Sequence, residues 1–221
     1  VTIDTNLPAS RGLGSSAAMA VAFVRASFDY LNKPLSDAQL IEEANWAERI
    51  AHGKPSGIDT QTIVSNKPVW FQKGEVQNLK PLELKGYMVV IDTGVRGSTK
   101  QAVEDVHNLC KEDETYLQYV EHIGKLVFEA SDAINHHNFE QLASIFNLCQ
   151  DNLKTLTVSH EKIEALLEAS KKEGAIAGKL TGGGRGGSMI VLATNIEIAE
   201  RIAKTAEALG AHHTWIEYLG G

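Results

Sequence analysis

Gly12-Leu13-Gly14-Ser15-Ser16 sets two glycines and two serines directly ahead of an alanine-rich apolar run. Glycine loses more backbone freedom on folding than any other residue, so stability alone gives no reason for it there. A loop feeding a helix N-terminus does give one. Free N–H groups and the helix dipole favour an anion, and glycines let a phosphate reach bare backbone. The serine hydroxyls can bind phosphate oxygen or a metal; a serine N-cap after a tight turn is the plainer reading. The nucleotide-binding pattern Gly-x-x-x-x-Gly-Lys-Ser/Thr is absent.

Three further stretches carry chemistry. Thr181-Gly182-Gly183-Gly184-Arg185-Gly186-Gly187 has five glycines in seven residues, more than a hairpin turn needs. Gly182-x-Gly184-x-x-Gly187 matches the dinucleotide fingerprint in letters, but a strand follows where that fingerprint requires a helix. Such a loop can cover phosphates, pack against another backbone, or form a long flexible hairpin. Glu48 and His52 share a helix face, and Asp59 follows a Pro55-Ser56-Gly57 turn. Two carboxylates beside a serine loop can hold Mg²⁺ and activate a hydroxyl; a solvated face and an Asx turn fit the same letters. Arg96, in the turn after Asp92-Thr93-Gly94, can clamp a carboxylate or phosphate with both arms of its fork, or simply lie exposed.

These groups need elements to hold them. Residues 1–6 alternate like a strand, and 15–32 read as a helix buried on all sides. A capping box, Ser36 to Gln39, opens a helix to His52 that stops at Gly53. Residues 62–64 and 68–71 look like short strands, and 74–85 is polar and irregular, a plausible domain boundary. Residues 87–91 are a buried strand, and a second capping box, Ser98 to Gln101, starts a helix through Leu109. Helices follow over 115–137, 139–155 and 160–173, then strands 175–180 and 188–193 about the glycine loop. Asn195 caps a last helix, and 213–219 is a last strand. The whole reads as α+β, with a C-terminal order that fits a split β-α-β sandwich of ferredoxin-like type. Trp46, Trp70 and Trp215 read as core.

With 221 residues, 43% of them hydrophobic, the chain suits one large domain or two small ones. A net charge of -7 argues against general nucleic-acid binding. Cys110 and Cys149 are too few for a disulfide framework. No apolar run approaches the roughly 18 residues of a membrane span and no signal-peptide pattern appears, so a cytoplasmic protein is expected.

Taken together, "PASRGLGSSAA" at 8–18 and "KLTGGGRGGS" at 179–188 resemble the central phosphate loop and the C-terminal glycine motif of the GHMP kinases. The resemblance covers essentially the whole chain. "AERIAHGKPSGID" at 47–59 and "DTGVRGSTKQAV" at 92–103 are most similar to the branch acting on mevalonate. This implies a two-domain fold, with a partial N-terminal α/β ATP-binding domain over 1–84 and a C-terminal ferredoxin-like α+β domain over 85–221. It implies ATP and Mg²⁺ as cofactors and phosphoryl transfer to mevalonate by a monomer or homodimer. By the same resemblance Asp59 is the catalytic carboxylate, and Ser16 and Glu48 are the Mg²⁺ ligands. Pro8, Arg11, Gly12, Leu13, Gly14, Ser15, Ser16 and Ala17, with Gly182, Gly183 and Gly184, would contact the nucleotide. Arg96, Thr181, Gly184 and Asp59 would contact substrate.

Branches acting on phosphomevalonate or homoserine share the glycine loops, and Lys54, Lys100 and Arg185 are cations able to serve an extra phosphate. A non-catalytic nucleotide- or metabolite-binding homologue is a third reading. The family's first motif, a strand with a lysine and a Gly-Glu-His stretch, has no counterpart, and Val1 falls inside an expected strand. The expectation is therefore a chain that enters mid-domain and, by itself, is poorly stable and nearly inactive.

Overall fold

The alanine-rich run after Gly14 forms α1 (Ser15–Tyr30), as its helix-favouring composition directs. The structure, a computed structural model, describes residues 2–5, 11–52, 55–65, 68–72, 75–78 and 81–220. Two units separate, one around Leu13–Pro81 and the other around Leu82–Gly221, to which Arg11 and Gly12 also belong.

In the first unit α1 is followed by α2 (Asp37–His52) and α3 (Ile58–Ser65), then by an antiparallel hairpin of β1 (Val69–Gln72) and β2 (Glu75–Asn78). The helices close around Val21, Leu40, Ala44 and Val64. The Ser36 hydroxyl accepts the Gln39 N–H at 3.3 Å, so the N-cap half of the first capping box forms as read.

Several expectations fail in this unit. Thr2–Thr5 is exposed and in no strand, because alternation assigns faces while a strand exists only by pairing. Residues 62–64 are helical. Thr62, Ile63 and Val64 are β-branched and read as strand, but the Ser56 hydroxyl takes the Ile58 N–H at 3.4 Å and Asp59 occupies a first turn where the dipole favours it. Thr60 and Val64, four residues apart, then both bury, so packing outweighs propensity. Part of the segment expected to be irregular is β2, with Val76 opposite Phe71. Helix α1 is buried on one face only: Ala17 and Val21 are covered, whereas Phe23 and Tyr30 are exposed. Trp46 is not core but 58% exposed, with the Arg49 guanidinium 5.6 Å over its ring.

The second unit runs β3 (Glu83–Asp92), α4 (Thr99–Glu112), a 3₁₀ turn (Glu114–Tyr116), α5 (Leu117–Asn135), α6 (Phe139–Thr155) and α7 (Glu161–Lys172). It continues with β4 (Ala177–Thr181), β5 (Ser188–Ala193), α8 (Ile196–Ala208) and β6 (His213–Gly220). The sheet order is β4-β5-β3-β6 with every pairing antiparallel, the split β-α-β arrangement that the element order implied.

Period-2 alternation splits the sheet's side chains between two helical layers. Val89, Ile91 and Val191 join Ile163, Leu166 and Ile202 from α7 and α8. Met88 and Leu192 join Leu126, Leu142 and Ile145 from α5 and α6. Ser98 caps α4 by accepting the Gln101 N–H at 3.3 Å, and Asn195 caps α8 through the Ile198 N–H at 2.9 Å. Cys110 and Cys149 are free thiols. Among the described residues no helix is long and apolar enough to cross a membrane.

Candidate active site

The first unit gathers its chemistry at the N-terminus of α1. Gly14 is the N-cap, left-handed at φ 65, and as a glycine it brings no side chain of its own to cap the helix. The first turn of the helix carries the positive end of its dipole. Ser16, in that first turn, donates its hydroxyl to Glu48 Oε1 at 2.5 Å. Glu48 comes from α2 and is only 7% exposed, so its carboxylate is fixed by packing as well as by the serine. Asp59, in the first turn of α3, is exposed, and a Cβ added to Gly14 would stand 3.5 Å from Asp59 Cβ. One helix terminus thus brings Gly14, Ser16, Glu48 and Asp59 together from three helices. Sequence spacing gave no reason to choose Asn45. Its amide nitrogen would lie 3.7 Å from a Cβ on Gly57, and its Oδ1 is buried without a hydrogen bond among the described residues.

The second unit holds the other glycine stretch. Gly12 (φ 75) and Gly182 (φ 74) face each other, both exposed. A Cβ on Gly182 would lie 2.9 Å from Gly12 Cα, and one on Gly12 would lie 3.2 Å from Gly182 Cα. The two glycine motifs singled out in the sequence therefore meet backbone to backbone. Beyond Gly182 the loop turns inward. A side chain on Gly183 would collide with Thr99 at the start of α4, and one on Gly184 with the Val158 carbonyl. Gly187 accepts the Thr93 N–H at 3.0 Å and returns its own N–H to the Val95 carbonyl at 2.7 Å. Gly184, Gly186 and Gly187 are buried. Close backbone packing explains these glycines as it does Gly12 and Gly182, and of the set Gly12 and Gly182 are the ones that face solvent.

The cations divide the same way. Arg11 lies inside the unit, its Nε 3.3 Å from Asp92 Oδ1. Arg185, left-handed at φ 56, pairs with Asp105 and donates Nε to the Thr157 carbonyl at 3.3 Å, so its charge is spent within the loop. Gln101's side chain, and after it the Arg185 guanidinium, hold the Asp105 carboxyl below its ordinary value. Arg96 and Lys100 are exposed. Thr181 ends β4, half-buried. Leu13, Ser15 and Ala17 flank the α1 terminus, while Pro8, Lys54 and the His52 side chain lie outside the described residues.

Comparison with known proteins gives two family models, the GHMP kinases N terminal domain over residues 1–66 and the GHMP kinases C terminal over residues 130–212. Mevalonate kinase of Pyrococcus furiosus is 34% identical over 201 residues, 88% of this chain and 60% of that protein's length. The chain thus spans about three fifths of such a relative. Among solved structures, mevalonate kinase from methicillin-resistant Staphylococcus aureus MRSA252 is 62% identical, with a TM-score of 0.81 over 98% of this chain and 70% of that one. L. major mevalonate kinase in complex with R-mevalonate is 27% identical, with a TM-score of 0.83 over 94% of this chain and 66% of that one.

Proposed function

The chain belongs to the GHMP kinase family, and from that premise we propose that it transfers the terminal phosphoryl group of ATP to the primary hydroxyl of mevalonate, giving 5-phosphomevalonate and ADP for isoprenoid synthesis. One observation carries the reading: Gly14, the Ser16–Glu48 pair and Asp59 meet at the N-terminus of α1. Likeness to mevalonate kinases, one of them solved with R-mevalonate, supports the choice of acceptor.

Phosphoryl transfer depends on positioning and charge neutralisation more than on covalent chemistry. The N-terminus of α1, with its dipole and a glycine N-cap, suits the triphosphate. Ser16 and Glu48 are a hydroxyl and a carboxylate, the hard oxygen donors that Mg²⁺ takes beside phosphate oxygens. They would hold Mg²⁺, which when bound supplies neutralisation of phosphate charge. Asp59 orients the acceptor hydroxyl and takes its proton as the new O–P bond forms. Arg96 offers the acceptor carboxylate a two-pronged cation. Thr181 stands as a further substrate contact, and Gly184 acts through the loop shape it permits. A cytoplasmic monomer or homodimer completes the proposal.

The test is ADP release with Mg²⁺-ATP on the full-length protein, with mevalonate, phosphomevalonate, homoserine and galactose as acceptors. Turnover with mevalonate alone supports the reading. Turnover with another acceptor moves the substrate within the family, and nucleotide binding without turnover on any acceptor overturns the kinase reading.

A further inference from the structure

Asp92 ends β3, the strand flanked by β5 and β6 at the centre of the sheet, and is fully buried. Its carboxylate is crowded with partners. Oδ1 accepts the Gly94 N–H at 2.9 Å and lies 3.3 Å from Arg11 Nε; Oδ2 lies 3.4 Å from His212 Nδ1. Its backbone carbonyl takes the His212 N–H at 2.8 Å. Ser188 and His213 stand opposite it on the neighbouring strands. The Arg11 side chain is 12% exposed. Arg11 Nε and Nη1, Asp92 Oδ2 and Ser188 Oγ are all buried without a hydrogen bond among the described residues.

A buried charge pair whose hydrogen-bonding capacity is only partly met is a poor device for stability, because desolvation offsets most of the Coulomb gain. Its location suggests another use. Arg11 immediately precedes Gly12, and a Cβ on Gly187 would lie 3.1 Å from the Arg11 carbonyl oxygen. Arg11 is therefore tied to Asp92 through its guanidinium, and its carbonyl runs close to Gly187 of the glycine loop. Gly12 follows with its Cα against Gly182.

We infer that Asp92 is a positioning residue for nucleotide binding: through Arg11 it anchors the first glycine of the phosphate loop to the sheet and so sets the Gly12–Gly182 cradle. The inference rests on the reading that this cradle takes ATP phosphates. Asp92 itself touches no phosphate in this account. It supplies a rigid origin for a loop whose glycines have little rigidity of their own.

The experiment measures equilibrium binding of a fluorescent, non-hydrolysable ATP analogue with Mg²⁺ to the full-length protein, alongside thermal melting. The variants are Asp92→Asn, Arg11→Met, Arg11→Lys and the double Arg11→Met/Asp92→Asn. Each charge-breaking single variant is expected to melt lower and to bind the analogue about tenfold more weakly or worse. The double variant removes both charges, so its melting temperature is expected to recover relative to the singles while binding stays weak. Arg11→Lys keeps the charge and is expected to bind more tightly than Arg11→Met. The KM for the phosphoryl acceptor is expected to change much less than the KM for ATP.

Native affinity in the double variant would overturn the inference, as would equal changes in both KM values. Should the singles fail to fold, the double variant decides alone. Analogue binding by the unaltered protein without turnover on any acceptor would sink the kinase reading and leave this test standing. Absence of analogue binding by the unaltered protein would overturn both.

Discussion

The Ser16 hydroxyl donates to Glu48 Oε1 at 2.5 Å, joining the first turn of α1 to a carboxylate buried on α2. A pair of hard oxygens held this way is suited to Mg²⁺ beside phosphate. Glu48→Gln keeps the volume and removes the charge. The Mg²⁺ concentration for half-maximal activity is expected to rise about 10- to 100-fold, read from a Mg²⁺ titration of turnover. An unchanged Mg²⁺ dependence would remove Glu48 from the metal site.

Two glycine-to-alanine changes are expected to differ in sign. Gly182 is left-handed at φ 74 and presses on Gly12 Cα, so Gly182→Ala should destabilise by about 1–3 kcal/mol and weaken ATP binding. Gly124 sits inside α5 with nothing within 4 Å of an added Cβ, so Gly124→Ala should stabilise by about 0.5–1 kcal/mol and leave ATP binding alone. Urea unfolding and nucleotide titration check both; equal stability effects would contradict the close approach at Gly182.

What the sequence made legible was whatever carried its own local signal. Ser36, Ser98 and Asn195 name their helix starts because the capping oxygen sits in the sequence beside the N–H it accepts. The alternation of strands and helices after residue 82 was enough for the sheet topology. Residues 62–64 misled because β-branched propensity is local while the burial of Thr60 and Val64 is tertiary. The site followed the same division. Each glycine stretch could be seen in the letters, but the meeting of Gly12 with Gly182 and the bond from Ser16 to Glu48 join distant segments. Asp92 read as a strand end, and its pairing with Arg11 had no signal in spacing at all.

Acid should loosen the support beneath β4. Burial alone would raise the Glu164 carboxyl, but hydrogen bonds from Ser159 (2.6 Å), Lys154 (2.9 Å) and Gln150 (2.8 Å), with the Lys154 charge, outweigh it and hold the carboxyl below its ordinary value. Gln150 in turn accepts the Leu180 N–H at 2.9 Å, one residue before the glycine loop begins at Thr181. A carboxylate with a lowered folded pKa contributes stability that is complete above its unfolded value of about 4.3 and is lost as pH falls through the folded value. Between about pH 6 and pH 3.5 the melting temperature is therefore expected to fall more for the native protein than for Glu164→Gln. Identical acid losses in the two proteins would contradict this.

The central claim is that Asp59, beside the N-terminus of α1, serves transfer of phosphate to mevalonate. Its most direct test is mass-spectrometric detection of 5-phosphomevalonate from Mg²⁺-ATP and mevalonate, with full-length native protein and Asp59→Ala side by side. The expected result is product from the native protein and a rate at least about 100-fold lower from the variant, with ATP binding retained in both. Equal product from both would show that Asp59 is not the catalytic carboxylate, and none from the native protein would refute the assigned reaction.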